Sequence, residues 1–190
     1  KLYDNKDDLP YGETVYLQDR QFSETPTNFL YFQRMAFRTQ TFREANPHFV
    51  EGISYDDILF TLVAIYAIKT VKFLNLVLYY YFIGRQGQSI GMKYDVKRVD
   101  FHILSIESLY DFYDKHFANQ SKNVYINGIE KKWAYDNLVK WTKELYREIV
   151  LLKYRDASSM LIKLKKKLSH YNGYHMVMSN DLKLDYRVPF

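Results

Sequence analysis

From about Asp95 onward the apolar residues recur every three or four positions. Over 97–117, Val99, Ile103, Ile106, Leu109, Tyr110 and Tyr113 fall on one helical face. Over 126–154 the same holds for Trp133, Leu138, Trp141, Leu145, Ile149 and Leu152, and over 156–171 for Met160, Leu161, Leu164 and Leu168. That period predicts amphipathic helices, each burying one stripe against its neighbours in a bundle. The chain before them is patterned differently. Ile58, Leu59, Leu62, Val63, Ile65 and Tyr66 are apolar on nearly every side, which predicts a buried helix from Tyr55 to about Lys69–Thr70. Ser54 is placed to cap it, and Asp56 and Asp57 fall in its first turn, where unpaired N–H groups favour carboxylates. The β-branched and aromatic runs "VKFLN" (71–75) and "LVLYYYFI" (76–83) predict two strands.

The remaining segments carry weaker patterns. Pro10, Gly12 and Pro26 sit among Asp, Asn, Ser and Thr, so 1–28 reads as loop with one short strand over 14–18. A short strand around Met35–Phe37 and a short helix ending near Asn46–Pro47 follow. "GRQGQSIG" (84–91) is a Gly-rich polar loop carrying Arg85, in which spaced glycines let the backbone bend closely around a ligand. The polar end predicts a loosely held tail. The fold class is therefore α+β and predominantly helical: a small α/β region over 1–94, a helical bundle over 95–172, and a tail over 173–190.

Composition narrows the function classes. A hydrophobic fraction of 47% in 190 residues supports a real core and excludes a disordered chain. The absence of cysteine removes disulfides, thiolate metal sites and a cysteine nucleophile. His48, His102, His116, His170 and His175 show no HxxxH or HExxH spacing, so nothing predicts a zinc enzyme. The net charge of +5 is concentrated in "LIKLKKKLSH" (161–170), which suits an anionic partner or a plain solvated helix face. The other basic residues alternate with acids and no nucleic-acid-binding signature occurs, so no nucleic-acid partner is expected. Lys69, Lys72 and Asn75 interrupt the most apolar segment, and a membrane span needs about 20 apolar residues, so none is predicted. "KLYDNKDDLP" at the start carries no secretory signal, and a cytoplasmic protein is expected.

Two stretches carry a resemblance. "FVEGISYDDILFT" (49–61), followed by "LYYYFIGRQGQSI" (78–90), resembles bacterial family 2 glycosyltransferases, which build capsule, exopolysaccharide and O-antigen chains. There a glycine-led acidic pair, usually Glu-Asp, opens a buried helix, and a tyrosine-rich strand and an Arg/Ser-bearing loop follow. The similarity covers about residues 30–92. It implies the acceptor-side portion of a GT-A domain, followed by a helical C-terminal region. The family's Asp-x-Asp motif, which holds a divalent metal on the donor diphosphate, does not occur in this sequence. The resemblance thus implies no cofactor in this chain itself. Mn²⁺ or Mg²⁺, the nucleotide-sugar donor and the nucleotide-binding half would belong to the intact enzyme.

By the same resemblance, Asp57 is the base that deprotonates the acceptor hydroxyl, and a carboxylate within hydrogen-bond reach can do this. Asp56 stands where the family usually has Glu and would orient the acceptor. Arg85 would neutralise the leaving diphosphate, with Gly87 and Ser89 shaping its loop. The acceptor would be a saccharide or a lipid-linked chain, and the basic helix at 161–168 would dock on an anionic membrane, at the inner face of the cell membrane. A non-catalytic helical interaction module is the competing reading. An apolar face left uncovered would in either case drive homodimerisation.

Overall fold

The computed structural model describes residues 2–3, 10–16, 21–22, 32–55, 57–84, 95–118 and 129–182. Its elements are β1 (Leu2–Tyr3), β2 (Thr14–Tyr16), β3 (Gln21–Phe22), α1 (Thr39–Ala45), α2 (Ile58–Ala67), β4 (Thr70–Lys72), α3 (Val96–His116), α4 (Ile129–Val150), α5 (Tyr154–Leu168) and α6 (Asn172–Val177). The class is α+β with helix predominant. β1 pairs with β3 in parallel, and β2 with β4 antiparallel, Thr14 opposite Lys72 and Tyr16 opposite Thr70. Among the described residues no helix is long and apolar enough to cross a membrane.

The core forms where α2 meets α3 and α4. Ile58, Leu59, Leu62, Val63 and Ile65 are all buried, as expected of a helix apolar on every side. The predicted stripe of α3, from Val99 to Tyr113, is buried throughout, and Trp133, Leu138, Leu145 and Ile149 of α4 join it. Met160, Leu164 and Leu168 seat α5 on the same cluster, which runs without a break across the boundary at 94/95. Asp95 caps α3 by accepting a hydrogen bond from the Arg98 amide at 2.8 Å. α1 ends at Asn46 in the left-handed conformation, with Pro47 next, a usual way for a helix to stop.

Several local expectations are corrected. The predicted strand at Met35–Phe37 is absent: a 3₁₀ turn spans Phe32–Arg34, and 35–38 has no regular structure. Of the two predicted strands in 71–83, only Thr70–Lys72 forms a strand, and Phe73 adds a single bridge to Tyr11. Residues 74–84 have no regular structure, because a strand needs a neighbour for its N–H and C=O groups and β2 is only three residues long. The side chains there are open to solvent, with Val77, Tyr80 and Phe82 at 71%, 86% and 72% exposure.

The predicted helix start also moves. α2 begins at Ile58, and Ser54 does not cap it, because Tyr55 has φ +72°, a left-handed conformation that a right-handed helix excludes. Asp57 takes the N-cap position without a side-chain cap hydrogen bond, one residue ahead of the first turn. Residues 173–182, expected to be part of a loose tail, are helical, in a segment that starts at Asn172. Asp114 of α3 accepts the amides of Asn172 and Gly173 at 2.6 and 2.8 Å, and Tyr174, Val177 and Met178 are buried. That apolar triplet is too short to stand out in polar sequence.

Candidate functional site

Asp57 is reached through a tight turn. Gly52 has φ +75°, which glycine adopts freely. Tyr55 adopts nearly the same φ with a bulky side chain, a strain of about 1–3 kcal/mol that persists only where the surroundings over-determine it. Here they do. The Tyr55 hydroxyl donates to Glu148 Oε1 at 2.6 Å. Its ring stacks on His102 with centroids 4.4 Å apart, and the Arg98 guanidinium lies 5.5 Å from the ring centre. Ser105 Oγ donates to the Ser54 carbonyl at 3.1 Å, tying the same turn to α3.

Glu148 is the centre of this cluster and is 1% exposed. Besides Tyr55, it accepts from Arg98, whose Nε and Nη2 both lie 3.0 Å from Oε1, and from His102 Nδ1 at 3.0 Å from Oε2. Burial by itself would push the Glu148 carboxyl up. The hydrogen bonds from His102 and Tyr55, with His102 and Arg98 close by, outweigh burial and hold it below its usual range. An ionised carboxylate only accepts, so the hydrogen in the His102–Glu148 bond sits on Nδ1. His102 Nε2 is buried and has no hydrogen-bond partner among the described residues. Burial, and then the bond to Glu148, push the Tyr55 hydroxyl well above its usual range, so it stays a donor.

The sequence builds the cluster by helical spacing. Arg98, His102 and Ser105 lie on one side of α3 at i, i+4 and i+7, and Trp141 and Glu148 on one side of α4 at i and i+7. Sequence reading missed Tyr55, Arg98, His102 and Glu148. A signal was there: His102 and Glu148 are ionisable residues beside Ile103 and Ile149 of the apolar stripes, where a buried polar group must find a partner.

The structure places Asp57, half-buried, at the entrance of α2, two residues beyond Tyr55. The carbonyls of Tyr55 and Asp57 accept the amides of Ile58 and Phe60, both at 3.2 Å, carrying the turn directly into the helix. Asp56, Arg85, Gly87 and Ser89 lie outside the described residues. A cavity of about 500 Å³ sits elsewhere. It is lined by Thr41, Glu44, Tyr66, Lys69, His116 and Lys131, among others. Tyr66 and Ala67, which line it, stand at the far end of α2, about 15 Å along the helix from Asp57. Burial, then Lys115, push the His116 ring down against the pull of Asp111, and burial pushes the Lys131 amine down.

The sequence lacks the Asp-x-Asp pair, and no group of three or more His, Asp or Glu among the described residues is placed to hold a metal. Of the predicted site residues, the described part of the structure holds the half-buried Asp57 carboxylate. Compared with protein-family models, curated proteins and solved structures, the chain matches none.

Proposed function

We propose that this chain is the acceptor side of a family 2-like glycosyltransferase of the GT-A type, with Asp57 as its catalytic base. The observation that carries the reading is the mounting of Asp57. It sits at the N-cap of a buried helix, after a turn whose strained residue is locked by a buried carboxylate. Such a mount suits a base, which must be held within about 0.5 Å of its working position. In the reaction the acceptor hydroxyl oxygen bonds to the anomeric carbon of the donor sugar. Its proton passes to the Asp57 carboxylate. The bond from the anomeric carbon to the nucleotide diphosphate breaks, and the electron pair leaves with the diphosphate. One displacement inverts the anomeric centre. Asp56 orients the acceptor, and Arg85, on a loop shaped by Gly87 and Ser89, neutralises the leaving diphosphate.

The exposed apolar run at 74–83 supports the same division of labour. Eight consecutive apolar residues from Leu76 to Ile83, without alternation, suit a strand covered on both faces by an α/β layer. In this reading that layer is the nucleotide-binding half, which also carries the divalent ion and the donor sugar. The acceptor is a cell-surface polysaccharide or a lipid-linked chain at the inner face of the membrane.

The test has two arms. Calorimetric titration of the chain alone with UDP and Mn²⁺ is expected to give no micromolar binding. Adding a nucleotide-binding half of the family is expected to give transfer that neither piece supports by itself. Micromolar binding by the chain alone would contradict an acceptor-side role. No transfer with any added half would favour the helical interaction module.

A further inference from the structure

We propose that Glu148 is the positioning residue for Asp57: through the Tyr55 hydroxyl it fixes the left-handed turn from which Asp57 enters α2. The inference rests on the reading of Asp57 as the base. It starts from an oddity of the turn. A tyrosine gains nothing from positive φ, and asparagine or glycine would adopt it with less strain. What the conformation achieves is delivery of the hydroxyl to a carboxylate 93 residues further along the chain.

Tyr55 is one of several partners that hold Glu148 as a buried ion. Arg98 gives Oε1 two N–H groups, and His102 occupies Oε2. Those contacts join α3 to α4. The bond from Tyr55 adds a different connection, from this α3–α4 joint to the acidic turn. Ser105 supplies a second tie to the same turn one residue earlier, at the Ser54 carbonyl. With both points held, the direction in which the chain enters α2 is set, and with it the aim of the residue at the N-cap. A misplacement of about 1 Å at a reacting group lowers a rate roughly 100-fold, so a tie of this kind has a functional consequence that packing alone does not require.

Tyr55→Phe is the informative variant, because it removes one oxygen and leaves the ring stack and the Glu148–Arg98–His102 joint in place. In the full chain, hydrogen exchange at the Ile58 and Phe60 amides is expected to speed at least tenfold, with the Leu109 amide of α3 unchanged. Glu148→Gln is expected to open the same amides. In the enzyme assembled with its nucleotide-binding half, Tyr55→Phe is expected to lower kcat tenfold or more while KM for the donor stays the same. A change below twofold at Ile58 and Phe60 in Tyr55→Phe would overturn the proposal, as would an unchanged kcat. If Asp57→Asn itself leaves transfer intact, the reading of Asp57 fails instead, and the exchange result still decides whether the hydroxyl holds the turn.

Discussion

A buried carboxylate is stable only in company, and Glu148 shows the asymmetry this creates. Glu148→Leu leaves Arg98 and His102 facing an apolar side chain, and breaking a buried pair from one side costs about 3–5 kcal/mol, which a urea unfolding midpoint would show. The acid response follows from the direction of its shift. The folded carboxyl is held below its ordinary value of 4.5, so the unfolded chain takes up the proton first as pH falls. The stabilisation is complete above pH 4.5 and is lost as pH drops through the folded value. Acid unfolding should therefore steepen below pH 4.5, and Glu148→Gln should flatten that part of the curve. Of this cluster, the sequence shows His102 and Glu148 as ionisable residues beside the apolar stripes. It cannot show their partner, because nothing in the identity of Tyr55 announces a left-handed backbone.

At the scale of elements, periodicity was a sound guide and end signals were not. The stripes of α3, α4 and α5 are long enough for the 3.6-residue period to stand out, and they are buried as read except at Trp141, Leu152 and Leu161, which are partly buried. A serine followed by two acids is an ordinary helix start, yet α2 begins later, because the tertiary bond of Tyr55 overrides the local preference. α6 went unread for want of length, although its packing is tight. A Cβ on Gly173 would lie 2.9 Å from Tyr113 Cδ1, and Tyr113 is itself fully buried and cannot swing away. Gly173→Ala should thus destabilise by about 1–3 kcal/mol, lowering the thermal midpoint. α5 presents a second case. Lys163 pairs with Asp100, and Lys167 with Glu107, so two of its lysines are turned to α3. Lys165 and Lys166 are left exposed. Each such lysine near an anionic surface adds about 1 kcal/mol, so the full chain should sediment with anionic vesicles at low salt only weakly. Lys165→Glu with Lys166→Glu should abolish the effect, and no sedimentation by the unmodified chain would remove α5 as a membrane contact.

For the molecule as a whole, a closed helical core contrasts with an open apolar run. The core was legible because burial leaves its mark on every turn of a helix. The run at 74–83 was legible as strand-like, but whether it pairs depends on atoms that no pattern inside the run supplies. Left uncovered, a stretch of this kind associates with itself, and the chain alone is expected to form homodimers or larger species through it. Tyr80→Lys with Phe82→Lys should shift sedimentation towards monomer while changing stability by less than about 0.5 kcal/mol, as substitutions at exposed positions do. A large loss of stability would mean that the run belongs to the core after all.

For the proposed transferase role, the most direct measurement is turnover by the chain combined with a nucleotide-binding half and carrying Asp57→Asn, a change that keeps the shape of the side chain and removes its basicity. A positioned base contributes about 100- to 10,000-fold, so kcat should fall by at least 100-fold with donor KM nearly unchanged. Turnover within a few-fold of the unmodified enzyme would contradict the account, because the residue at the mouth of α2 would then be a helix N-cap and nothing more.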